Sequence, residues 1–138
     1  MTFIMSKSAF SQELAVPGDY HWQNRILLVF ASPDENKFEK QLQIFSAEEA
    51  GLQERELVIF KIRDRQVIHP TGKTFGKVSA RQLREQYEVK REEFAVVLIG
   101  KDGTQKLKQE EILETDKLFA IIDAMPMRRR EMREDRGD

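Results

Sequence analysis

Three stretches of this 138-residue chain are almost wholly apolar: Ile26-Leu-Leu-Val-Phe-Ala31, Leu57-Val-Ile-Phe-Lys-Ile62 and Phe94-Ala-Val-Val-Leu-Ile-Gly100. Short continuous runs of this kind predict strands covered on both faces. Between the first two, Phe38, Leu42 and Phe45 recur at helical spacing among charged neighbours, and Gly51 follows as a left-handed stop. The pattern predicts a helix of about four turns over 35–50, and so a strand-helix-strand unit with the usual right-handed parallel crossover. Residues 63–77 read as a loop. Ser79 is placed to cap a short helix carrying Leu83 and Tyr87 one turn apart.

After the third run, Asp102-Gly103 predicts a tight hairpin with both central residues at positive φ, returning 104–108 as an antiparallel edge strand guarded by its lysines. Thr115 is expected to cap a last helix with Leu118, Ile121, Ile122 and Met125 on one face, which Pro126 ends or kinks. The predicted order is βαβαββα. It matches a thioredoxin-like three-layer α/β sandwich with a mixed four-stranded sheet. A flavodoxin-like sheet would need a helix where this chain has only Lys101-Asp102-Gly103.

A chain of this length buries about two-thirds of the surface it exposes when unfolded, enough for one core. The expected division is a flexible segment over 1–18, the domain over 19–127 and a charged tail over 128–138. With 23 Lys+Arg against 24 Asp+Glu, the net charge is −1. No global field draws the chain to nucleic acid or anionic lipid, and no apolar run is long enough to span a bilayer. As it stands the sequence reads as cytoplasmic. The small-x-small pattern Ala9-Phe10-Ser11 allows an exported alternative, in which the start codon cuts into a longer leader.

Cysteine is absent. In a thioredoxin-like fold the reactive sulfur sits just after the first strand, at a helix N-terminus. Here that turn is Ser32-Pro-Asp-Glu-Asn-Lys37, which excludes thiol peroxidase and disulfide exchange chemistry. Ser32 and Asp34 remain weak candidates there, with helix capping their plainer role. His21 and His69 have no ligand-pair spacing, so neither a metal nor another cofactor is expected. Thr71-Gly72-Lys73-Thr74 lacks the leading glycine of a P-loop. For binding, the candidates are Lys101 and Asp102 in the hairpin and Arg128, Arg129 and Arg130 at the start of the tail. The tail also holds acids at i,i+3 and i,i+4, such as Arg128/Glu131 and Arg130/Glu134, which favours self-pairing over a nucleic-acid patch.

Trp22-x-Asn-Arg25, the Phe94-to-Gly103 run, Lys106-Leu107 and Ile122-Asp-Ala-Met-Pro-Met-Arg-Arg-x-Glu131 together resemble a bacterial domain of unknown function related to peroxiredoxins, versions of which occur in secreted animal proteins with sushi repeats. The resemblance runs from about Trp22 to Glu131. It implies a thioredoxin-like fold and, by analogy with the animal proteins, an interaction role. Three functions are carried forward: a non-catalytic module binding a protein partner, a cysteine-independent enzyme with a carboxylate and arginine pocket, and weak nucleic-acid binding through the arginine-rich end. Oligomeric state is not legible.

Overall fold

Alternation along the first apolar run sets the architecture. In the computed structural model, which describes residues 20–70 and 79–137, this run is strand β1 (Arg25–Phe30), buried at every position. Ile26, Leu28 and Phe30 join one core cluster and Leu27 and Val29 another, because successive side chains leave a strand on opposite faces. Such a strand must lie mid-sheet. Strand β2 (Leu57–Arg63) pairs with it in parallel, with Arg25 opposite Leu57. On its other side β4 (Ala95–Ile99) runs antiparallel, Leu28 opposite Val97.

Strands β3 (Gln66–Ile68) and β5 (Gln105–Gln109) form the two edges, giving the order β3-β2-β1-β4-β5. The sheet therefore has five strands, one more than expected. The additional β3 lies in the stretch read as loop: it turns back from β2 through Asp64-Arg65, with Asp64 left-handed at φ 53°. Three residues leave no room for a hydrophobic period. Thr71–Thr74 and the expected segment 1–18, with Ala9–Ser11, lie outside the described residues.

Helices α1 (Asn36–Ser46), α2 (Glu49–Glu54) and α4 (Thr115–Asp123) contribute to the cluster on one face of the sheet, α3 (Ala80–Tyr87) to the cluster on the other. This is the three-layer sandwich expected. The single helix anticipated over 35–50 is instead broken at Ala47 and Glu48. Gly51 lies inside α2, not at a left-handed stop; a Cβ there would come within 2.7 Å of Phe119 Cε2, so its service is close approach. Helix α1 also buries Gln41. Its amide exchanges bonds of 2.8 and 2.7 Å with the Leu113 backbone, which lets a polar side chain sit fully inside.

Ser79 caps α3 as expected, in a reciprocal box with Gln82. Thr115 does not cap α4: it is the first helical residue, after Glu114, which makes no side-chain cap bond. The β4–β5 connection has only Gly103 at positive φ, 85°, and not both central residues. Gly103 N–H donates to Gly100 C=O and Gly100 N–H to Thr104 C=O, both at 2.9 Å. A three-residue loop with a left-handed glycine accommodates the bulge beside Ile99. Pro126 ends nothing further on; it opens a new helix, α5 (Pro126–Asp135), at the position where its missing N–H is harmless.

No helix among the described residues is long and apolar enough to cross a membrane.

Candidate functional site

At the carboxyl end of β1, where the fold's reactive group would stand, the chain turns through Ala31, Ser32, Pro33 and Asp34 into α1. Asp34 is exposed, and its Oδ1 accepts the Asn36 N–H at 3.0 Å. Ser32 Oγ reaches the same oxygen at 3.4 Å, its one side-chain hydrogen bond among the described residues. Contrary to expectation, neither Ser32 nor Asp34 caps α1: the N-cap is Glu35, which makes no side-chain cap bond, and Asp34 closes the turn just before it. The histidines are occupied elsewhere: His69 Nε2 pairs with Tyr20 Oη at 2.6 Å, and His21 stacks on Trp22 at 4.8 Å between centroids.

Beside this turn lies a cleft of about 340 Å³, which borders Ser32, Pro33, Glu35, Asp64, Arg84 and Arg91. Asp64, Arg84 and Arg91 also border a larger groove of about 880 Å³ that runs along α3, over Ala80 and Val89. Arg84 is 7% exposed and donates through Nη1 to the Asp64 carbonyl at 2.8 Å. Arg91 Nη2 donates to Asp64 Oδ1 at 3.1 Å. Burial, reinforced by the neighbouring charge of Arg91, lowers the Arg84 pKa despite the opposing pull of Asp64.

At the opposite end of β1, about 20 Å away at 3.3 Å per residue, a second polar system is assembled from distant parts of the chain. Arg25 opens β1, Lys101 follows β4, and Glu131 comes from α5. Glu131 accepts from Arg25 Nη1 and Nη2 at 3.2 and 3.3 Å and from Lys101 Nζ at 2.6 Å, while Lys101 also reaches Glu56. Arg128 donates to Asp123 at 3.1 Å and to Glu54 at 2.7 Å, and Arg55 grips Asp123 at 3.1 and 2.9 Å. The Arg55 guanidinium also lies 3.8 Å over the Phe119 ring.

Burial tends to raise the Glu131 and Asp123 carboxyls. Hydrogen bonds and charge from Lys101 and Arg25, and from Arg55 and Arg128, outweigh it and hold both below their ordinary values. Burial likewise works against the Arg128 charge, but Asp123 and Glu54 raise its pKa overall.

The residues singled out from sequence divide accordingly. Lys101 and Arg128 are interior, at 8% and 1% exposure, and hold the chain together through these ion pairs. Asp102 is half-buried and serves the hairpin, accepting from Thr104 N and Oγ1 at 3.0 and 2.8 Å and from Lys106 at 3.1 Å. Arg129 and Arg130 are exposed on α5. Of the tail pairs expected, Arg128 and Glu131 stand 3.8 Å apart. Arg25 and Glu131 belong to the segments that carry the resemblance, but nothing in sequence joined them. Arg84, Arg91 and Asp64 were missed, since a charged residue on a short amphipathic helix or in a turn reads as solvated.

Trp22 completes this end. It is 58% exposed, the one exposed large apolar side chain among the described residues, and sits at φ 70°. Its N–H is held by the Lys101 carbonyl at 2.7 Å, and a Cβ on Gly103 would lie 3.4 Å from His21 Nε2. His21, Trp22 and the hairpin tip therefore share one surface.

Comparison with known proteins agrees with this architecture. The chain is similar to Plasmodium yoelii thioredoxin peroxidase I, with TM-score 0.61 and 15% identity over 88% of this chain and 81% of that one. It is similar to the reduced Plasmodium vivax 2-Cys peroxiredoxin (0.58, 18%, 84% of each chain) and to a thioredoxin-fold protein from Helicobacter pylori (0.51, 18%, 85% and 80%). At these identities the likeness is one of fold, the thioredoxin-like fold. Among curated protein sequences no match to this chain was found. The model of one family, the Domain of unknown function (DUF4174), matches residues 17–131. The match spans nearly the whole domain, and the chain belongs to that family.

Proposed function

We propose that this protein is a non-catalytic thioredoxin-like module that binds a protein partner through the surface formed by Trp22, His21 and the hairpin at Gly103. The observation that carries the reading is Trp22. A non-glycine residue in the left-handed region costs about 1–3 kcal/mol, and an indole left in water forgoes the burial that stabilises most tryptophans. Here both features coincide, and the backbone is locked by the Lys101 carbonyl. A rigid, exposed aromatic with a polar rim has the make-up of an interface anchor.

The rest of the chain is consistent with this role. It has no cysteine, and in the turn that would carry one the Asp34 carboxylate accepts the Asn36 N–H. The buried ion pairs fix α5 and the β4–β5 hairpin against the start of β1, which keeps the Trp22 surface in one shape. The motif's resemblance to domains in sushi-repeat secreted proteins, an expectation from sequence, adds an analogy for adhesion-type binding.

The test is quantitative capture from the native cell extract by the full chain and by Trp22→Ala, alongside peroxide and insulin-disulfide reduction assays. A partner retained by the wild type and lost by Trp22→Ala, with both assays at buffer rate, is the expected result. Equal capture by the two proteins, or turnover above buffer, contradicts the reading.

A further inference from the structure

Four cationic side chains are buried among the described residues: Arg25, Lys101, Arg128 and Arg84. The first three each contact at least one carboxylate. Arg84 contacts none among the described residues. Its Nη1 is spent on a backbone carbonyl, and its Nε is buried with no hydrogen-bond partner. An unpaired buried donor is costly, more so when it carries charge, and buried charges in folded proteins are paired as a rule.

Three of the acids near Arg84 are already engaged, and the exposed Glu88, which also lines the groove, makes no ion pair with Arg84 among the described residues. Asp64 bonds Arg91, Glu85 bonds Arg81 and Glu35 bonds Arg63. The segment 71–78 leading into α3 contains no Asp or Glu. No carboxylate among the described residues therefore pairs directly with Arg84.

Arg84 also stands where a ligand has access. It lines both the cleft beside Ser32 and the groove along α3. In open α/β sheets ligands settle outside the carboxyl ends of the parallel strands, and this is the end at which Phe30 and Arg63 stop. A groove of about 880 Å³ is within the range that holds a small organic molecule.

We propose that the groove between α3 and the carboxyl ends of β1 and β2 binds a small organic anion, its carboxylate or phosphate group paired with Arg84 and Arg91 and its apolar part lying over Ala80 and Val89. This goes beyond the partner surface at Trp22, which lies at the other end of the sheet. A guanidinium presents a planar fork that suits either oxyanion. Desolvation of Arg84 strengthens the attraction, because a charge held away from water interacts more strongly with an ion that reaches it.

The experiment is a titration of the ¹⁵N-labelled full chain with inorganic phosphate, with succinate and with sodium chloride, observed at the arginine Nε–Hε resonances. Saturable 1:1 shifts of the Arg84 and Arg91 signals with phosphate or succinate, and not with chloride, are expected; the anion that saturates names the class. Arg91→Gln, an exposed change that leaves the core alone, and Arg84→Lys should each weaken that binding roughly tenfold. Shifts that fail to saturate with both oxyanions, or the same affinity in Arg91→Gln, overturn the proposal.

Discussion

Glu131, on the last helix, accepts the Lys101 ammonium at 2.6 Å while its two oxygens also face the Arg25 guanidinium. One carboxylate thus ties the C-terminal helix to residues at the ends of the two central strands. Lys101 and Arg25 are 7% and 1% exposed as side chains, so neither can turn to water if the carboxylate is lost. Replacing Glu131 by Ala should destabilise the fold by about 3 kcal/mol, in the range for breaking a buried pair, because it strands Arg25 and leaves Lys101 with Glu56 alone. Urea unfolding followed by circular dichroism measures it. Arg129→Glu and Arg130→Glu, on the exposed side of the same helix, should stay within about 0.5 kcal/mol of wild type.

The same cluster sets an acid limit. Asp123 and Glu131 titrate below their ordinary values of 3.8 and 4.5 in the folded chain. The unfolded chain therefore takes up these protons first, and stability rises with pH across that window. Their contribution is fully present above pH 4.5 and is lost as pH falls through the lowered folded values. Urea midpoints should be insensitive to these groups from pH 7 to 5 and drop below that, with a shallower drop in Glu131→Gln.

Gly51 offers a test of packing against propensity. Alanine in a helix interior gains about 0.5–1 kcal/mol over glycine, but its methyl would sit 2.7 Å from a Phe119 ring already covered by Arg55. Overpacking of this kind costs about 1–3 kcal/mol. Gly51→Ala should therefore lose about 1 kcal/mol, and Phe119→Leu in that background should recover part of it.

Ser79→Ala removes a capping box from a helix of eight residues and should cost about 1 kcal/mol. It leaves Arg84 in place, so thermal unfolding should shift without loss of the groove's anion response.

Much of the fold was legible because its central strands are buried on both faces. Continuous apolar runs such as 26–31 and 94–99 are too short for a core helix and have no polar face to offer water, so a covered strand is the structure they suit. The short Lys101-Asp102-Gly103 connection leaves room for a hairpin alone. Strand β3 escaped because its single buried residue, Val67, establishes no period. The helix break at Ala47 and Glu48 escaped because both residues are acceptable in a helix. For the site, residue type was visible and burial was not. Lys101 and Arg128 look like solvated cations in sequence; only the meeting of strand ends with α5 makes them interior. Arg84 stands beside Leu83 on one short helix, and the difference between a solvated and a buried arginine there is decided by Asp64, 20 residues away.

The central claim is that the Trp22 surface is a rigid binding face, and Trp22 is the only tryptophan in the chain. Its fluorescence therefore reports that surface alone. In the isolated full chain its emission should be water-like and readily quenched by acrylamide, yet with high anisotropy. Adding the partner captured by wild type but not by Trp22→Ala should shift the emission to the blue and cut the quenching several-fold. Emission that is already shielded in the isolated chain, or quenching unchanged by that partner, would contradict the account.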